Sequence, residues 1–200
     1  MQGLPFRRSL LTLVIFGIAA MAQGQTYKFS TLYSFKNNGK DPAYPTFLIM
    51  DSAGNLYGTS GGGGTHHAGT VFKVTPNGVL TVLHSFNGTN DGSQPNSLTR
   101  DPRQGDLYGT TTWTNIFKLA AGKDGTYTFS TLYRNSAASF GAAMVDSVGN
   151  LYGTNQTCSS ALSPCVWEIP AGKRWRDIWD LGKDYDEPFN LFGNIIEKPG

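Results

Sequence analysis

Charge is scarce in this 200-residue chain: Asp, Glu, Lys and Arg make up only 15% of it, against about a quarter in ordinary soluble domains. Helix-favouring surface residues are correspondingly few. The chain is not disordered, because 39% apolar residues and 12% aromatics supply a real core. No apolar run reaches the roughly 20 residues that span a bilayer. No Gly-x-Ser-x-Gly elbow, phosphate-binding loop or dinucleotide fingerprint occurs. An enzymatic site would therefore be assembled without a local signature, and no cofactor is implied. Cysteine is limited to Cys158 and Cys165.

Glycine is abundant instead, at 25 residues, with 10 prolines, which describes many tight turns and leans the chain towards an all-β fold. Arg7-Arg8 precede the apolar run from Leu10 to Ala20 and the small-residue pattern Ala20-Met21-Ala22. That order reads as a secretory signal peptide over residues 1–22, cleaved after Ala22. Phe6 replaces the polar residue that a twin-arginine signal places before its arginines, which favours the general export route. The expected location is extracellular, cell-surface or periplasmic. Without Arg7 and Arg8 the formal charge of +2 falls to zero, with 14 basic and 14 acidic residues remaining. A near-neutral mature chain gives no support for a nucleic-acid partner, and no integral membrane span is expected in it. In an exported chain, Cys158 and Cys165 closing a small loop read as a disulfide.

Laid against itself, the chain shows Asp51–Thr59, Asp101–Thr110 and Asp146–Thr154, each running from Asp through a Gly-Asn or Gly-Asp turn to Leu-Tyr-Gly-Thr. The positions involved are Asp51, Leu56, Tyr57 and Gly58, then Asp101, Leu107, Tyr108 and Gly109, then Asp146, Leu151, Tyr152 and Gly153. A period near 45 residues means repeated supersecondary units. Each copy sits between a short strand that leads into the Asp and a β-type run (Val71–Val74, Ile116–Leu119, Val166–Ile169), followed by a tight turn and an aromatic-rich run. Four short strands per unit, A to D, result. Repeated four-stranded antiparallel sheets predict a β-propeller-like array of about three complete blades. The units span approximately residues 45–86, 95–133 and 140–181 of a repeat domain over 23–200, with partial strands over 27–35 and 187–196. This is read as an incomplete ring, a fragment of a longer product, or one part of an assembly, whose open strand edges favour self-association.

The Asp-x-x-Gly-Asn-Leu-Tyr-Gly-Thr block, the spacer Gly61–Gly64, the run Gly69–Val74 and the stretch His84–Pro95 together resemble the Gloeo/Verruco ("GloVer") tandem repeat of secreted bacterial proteins. The resemblance covers essentially the whole mature chain. It implies a propeller-like array ahead of a C-terminal surface-sorting anchor, and it brings no established catalytic residues. Two departures stand out: the second spacer shrinks to Thr111–Asn115, and no anchor sequence precedes Gly200.

Asp51, Asp101 and Asp146 recur just before a turn, where a carboxylate accepts hydrogen bonds from turn amides, so they read as structural. Tyr57, Tyr108 and Tyr152 read as packing between blades. Residues that break the repeat are the better ligand-binding candidates, because the common scaffold does not require them: His66, His67, Asp91, Trp113 and Tyr185. No metal site is expected, since adjacent histidines point differently and lack a nearby acidic partner. In an up-and-down blade the B–C and D–A connections emerge on one face, and all five candidates map there. The leading expectation is a non-enzymatic secreted binding or structural scaffold with an extracellular glycan or surface protein as partner. The alternative is a propeller hydrolase or lyase acting on an extracellular polysaccharide or lactone.

Overall fold

The computed structural model describes residues 28–36, 38–112, 115–134, 140–156, 164–174 and 176–180. The signal peptide and the partial strand expected over 187–196 lie outside these residues. The described residues carry twelve strands and no helix: β1 Pro42–Met50, β2 Leu56–Gly63, β3 Thr70–Val74, β4 Leu80–Ser85, β5 Thr99–Arg100, β6 Leu107–Thr110, β7 Asn115–Ala121, β8 Tyr127–Arg134, β9 Phe140–Val145, β10 Leu151–Asn155, β11 Cys165–Ile169 and β12 Arg176–Asp180. They form three four-stranded sheets, each antiparallel and in sequence order. The fold is all-β and propeller-like. The sheets make an open array, with β4 beside β8 and β9 beside both β5 and β6.

The repeat block builds the A–B corner. Asp51 Oδ1 accepts the Ala53 and Asn55 backbone N–H groups at 3.0 and 2.9 Å, while Oδ2 accepts Asn55 Nδ2 at 3.0 Å and the Tyr57 hydroxyl at 3.2 Å. Asp146 repeats this pattern with Val148, Asn150 and Tyr152. Asp101 instead holds Arg103, through its N–H at 2.8 Å and its guanidinium at 3.0 and 3.1 Å. The turn itself needs a left-handed residue, which Gly54 and Gly149 supply at φ +78° and +95°.

The glycine of Leu-Tyr-Gly-Thr has a different cause. Gly58, Gly109 and Gly153 pair across the sheet with Phe72, Phe117 and Trp167. A Cβ added there would lie 2.4, 2.5 and 2.1 Å from those rings. An aromatic on strand C is thus laid over a strand-B glycine in every blade, and each is essentially fully buried.

Each sheet presents one face to the preceding blade, here called leading, and one to the following blade, called trailing. The first interblade core joins trailing Phe47, Ile49, Tyr57 and Val71 to leading Leu98, Leu107, Phe117 and Leu119, with Phe86 between them. The second joins trailing Tyr108, Ile116 and Tyr133 to leading Ala143, Leu151, Trp167 and Ile169. Apolar residues on both faces of strands B and C are what a sheet between two neighbours requires. Hydroxyl groups pin the same joints near the ends of the inner strands: Thr46 Oγ1 donates to the Pro95 carbonyl at 3.1 Å, and Thr110 Oγ1 lies 3.1 Å from the Gly141 carbonyl.

Two local expectations differ from what forms. Residues 28–36 carry no strand, although a D-like strand was expected over 27–35. β3, β7 and β11 each already pair on both sides, so no strand-C edge is free, and Phe35 contributes a ring contact with Phe72 at 5.3 Å instead. The glycine spacer, expected as loop, continues β2 as far as Gly63, because β1 begins at Pro42 and supplies it with ladder partners.

Candidate functional site

Antiparallel pairing of successive strands sends the B–C and D–A connections to one end of every blade. In the first blade these are residues 64–69 and 86–95. The Gln94 N–H donates to the Ala68 carbonyl at 2.8 Å, and the Phe86 N–H to the Gly69 carbonyl at 3.0 Å. The second-blade B–C connection joins them, because the Thr112 N–H donates to the Gln94 carbonyl at 3.1 Å. Three connections of different length and chemistry therefore form one interlinked surface over the first and second blades.

His66 and His67 lie exposed on the first of these loops, with His67 in the left-handed region at φ +57°. His67 also lines an open cleft of about 580 Å³ with Asn38, Lys40, Thr65 and Ser85. Asp91 is different. It is 8% exposed, accepts the Asn87 N–H at 2.8 Å, and lies 2.9 Å from His84 Nε2. It anchors the loop from within and does not stand free on its surface. Trp113 and Tyr185 lie outside the described residues, as does Cys158; Cys165 is fully buried.

His84 is the site-associated residue that sequence reasoning passed over. It sits on β4, stacks at 4.1 Å on Phe129 of the neighbouring blade, and meets Phe86 edge-on. Burial, the largest influence, holds its ring below the ordinary imidazole pKa, although Asp91 pulls the other way. At neutral pH the ring is thus uncharged and donates Nε2–H to the carboxylate. Its only sequence signal was its place at the start of the stretch His84–Pro95. Ser85, beside it on β4, accepts the Thr65 N–H with its hydroxyl at 2.7 Å.

The opposite end of the array holds a cleft of about 320 Å³ between the second and third blades, lined by Arg103, Tyr108, Lys118 and Lys173 among others. Arg103 is bound to Asp101, and Lys118 Nζ lies 2.6 Å from Asp106. Among the described residues, no three His, Cys, Asp or Glu side chains gather as a metal site, and no helix is long and apolar enough to cross a membrane.

Three solved structures show the fold. A gluconolactonase from Xanthomonas campestris superposes with a TM-score of 0.56 at 17% identity, covering 74% of this chain and 50% of its own. The extracellular domain of a B. thetaiotaomicron protein gives 0.53 at 12% identity, covering 74% and 18%. A luciferin-regenerating enzyme gives 0.51 at 10%, covering 68% and 46%. This chain spans half or less of each. No curated protein matches by sequence. The Gloeobacter/Verrucomicrobia repeat model, in contrast, matches residues 14–176. With its three Leu-Tyr-Gly-Thr corners and stacked sheets, the chain belongs to the Gloeobacter/Verrucomicrobia repeat family.

Proposed function

We propose that this chain is an exported, non-enzymatic binding module that presents the B–C and D–A connections of its blades to an extracellular glycan or surface protein. The observation that carries this reading is the pair of hydrogen bonds through Gln94, which join the loops of His66 and His67, of Asp91, and leading to Trp113 into one surface. A loop face carried on a rigid sheet array is where binding residues are commonly placed. His84 and Asp91 position that face; His66, His67, Trp113 and Tyr185 are its contact residues. Export is directed by residues 1–22, and Cys158 pairs with Cys165 to clamp the third B–C connection.

The test is binding of the exported chain to a glycan array and to solubilised surface proteins, repeated with Trp113→Ala and His66→Ala. Ser52→Ala and Asn77→Ala on the opposite face serve as controls. Loss of binding confined to the first pair supports the module. Equal loss from both faces refutes the assignment, and turnover of a lactone or polysaccharide panel by the wild type replaces it with an enzymatic role.

A further inference from the structure

The three sheets repeat not only their sequence but also their interfaces, and equivalent positions can be compared like for like. On the leading face, Leu48 pairs with Gly58 as Ala143 pairs with Gly153, and Met50 with Leu56 as Arg100 with Leu107 and Val145 with Leu151. Leu48 is 56% exposed, whereas its counterparts Leu98 and Ala143 are 2% and 9%. Leu56 is half-buried, whereas Leu107 and Leu151 are buried. On the trailing face, Tyr57 and Tyr108 are buried but Tyr152 is half-buried. Val71 and Ile116 are fully buried, but Val166 is half-buried. The two end faces are thus copies of the two halves of an interface that the chain builds twice within itself.

We propose that a second copy of this chain stacks on the array, with the leading face of its first sheet against the trailing face of the third. Leu48 and Leu56 of one copy then meet Tyr152 and Val166 of the other, as Leu98 and Leu107 meet Tyr57 and Val71 within the chain. This is blade stacking through side chains, not edge-to-edge pairing of strands. The charges suit it: Met50 stands where the second sheet has Arg100, and Glu168 beside Tyr152 is already paired with Arg176. Phe35 covers Phe72, and Val74 beside it is also buried, so the open part of the leading face is Leu48, Met50 and Leu56. Such a contact is heterologous, so it closes or polymerises. Two copies related by a twofold axis along the array satisfy both end faces at once.

The exported chain is measured by sedimentation velocity and light scattering up to tens of micromolar, with expected mass twice that of one chain. Leu48→Asp and Val166→Asp each place a carboxylate in the stacked interface and weaken dimerisation by at least about tenfold. Met50→Glu, at a position 71% exposed within one copy, does the same without touching the fold. An equimolar mixture of Leu48→Asp and Val166→Asp associates more tightly than either variant alone, because the mixed pair keeps one contact between two unaltered faces. A wild type that stays monomeric overturns the proposal, as does a variant that dimerises normally, a mixture that associates no more tightly than either variant alone, or an unlimited polymer series.

Discussion

The glycine of the third Leu-Tyr-Gly-Thr corner offers the sharpest test of why the repeat is written as it is. A methyl group at Gly153 would sit 2.1 Å from Trp167 Cζ2, 2.5 Å from Cε2 and 2.9 Å from Cη2, all on one ring. That ring is fully buried and its Nε1–H donates to the Thr154 carbonyl at 3.1 Å. It cannot swing aside without losing both core packing and that bond. Gly153 is not among the glycines with positive φ, so alanine meets no backbone penalty, and overpacking alone sets the cost at about 1–3 kcal/mol. For a domain of this size that lowers the melting temperature by about 2–4 °C per kcal/mol. Trp167→Leu alone costs about 2–4 kcal/mol through the lost ring. In that background the added methyl enters vacated space and removes unfolded-state freedom, so Gly153→Ala becomes neutral or gains up to about 1 kcal/mol. The double-mutant cycle, read by urea denaturation of the exported chain, is expected to show a favourable coupling of about 2 kcal/mol. Additive effects, or a neutral Gly153→Ala in the wild-type background, would refute the claim that the ring dictates the glycine.

His84 titrates below the ordinary imidazole value when folded, so the unfolded chain binds the proton more readily. Stability is full above about pH 6.5 and falls as pH drops through that value towards the folded one; His84→Gln should flatten this slope in denaturation midpoints measured across it. For Asp51, burial is the largest single influence and pushes upward, but the hydrogen bonds from Asn55, Ala53 and Tyr57 outweigh it and leave the carboxyl below the usual range. Its stabilisation is therefore present above ordinary carboxylate pH and lost in stronger acid; Asp51→Ala should cost about 1–3 kcal/mol in chemical denaturation, with Ser52→Ala changing it by less than about 0.5. Mass spectrometry of exported protein should place the N-terminus at Gln23 with two hydrogens missing. Native alkylation at Cys158 or Cys165 would count against the bridge, whose reduction is expected to cost no more than about 2–3 kcal/mol.

The blades were legible because their causes are local. An Asp four residues ahead of an Asn, a left-handed Gly between them, and an aromatic destined to lie over the next glycine all act within one hairpin, so they recur in sequence as Asp51–Thr59 and Asp146–Thr154. The propeller-like class followed from that period together with four strand-like runs in each unit. The candidate surface was legible only as a face. His66, His67 and Asp91 break the repeat, but the Asp91 carboxylate turns inward because His84, seven residues earlier, is held by a ring of the next blade. Residues 28–35 carry strand-D sequence without becoming strand, since ladder formation depends on a free neighbouring edge and β3 has none. By itself, then, the order of amino acids determined where the chain turns, which strands alternate and which positions are equivalent, because these rest on backbone conformation and contacts within a few residues. Tertiary structure alone decided that Leu98 is buried and Leu48 is not, because burial at a repeated position depends on whether another sheet lies against it.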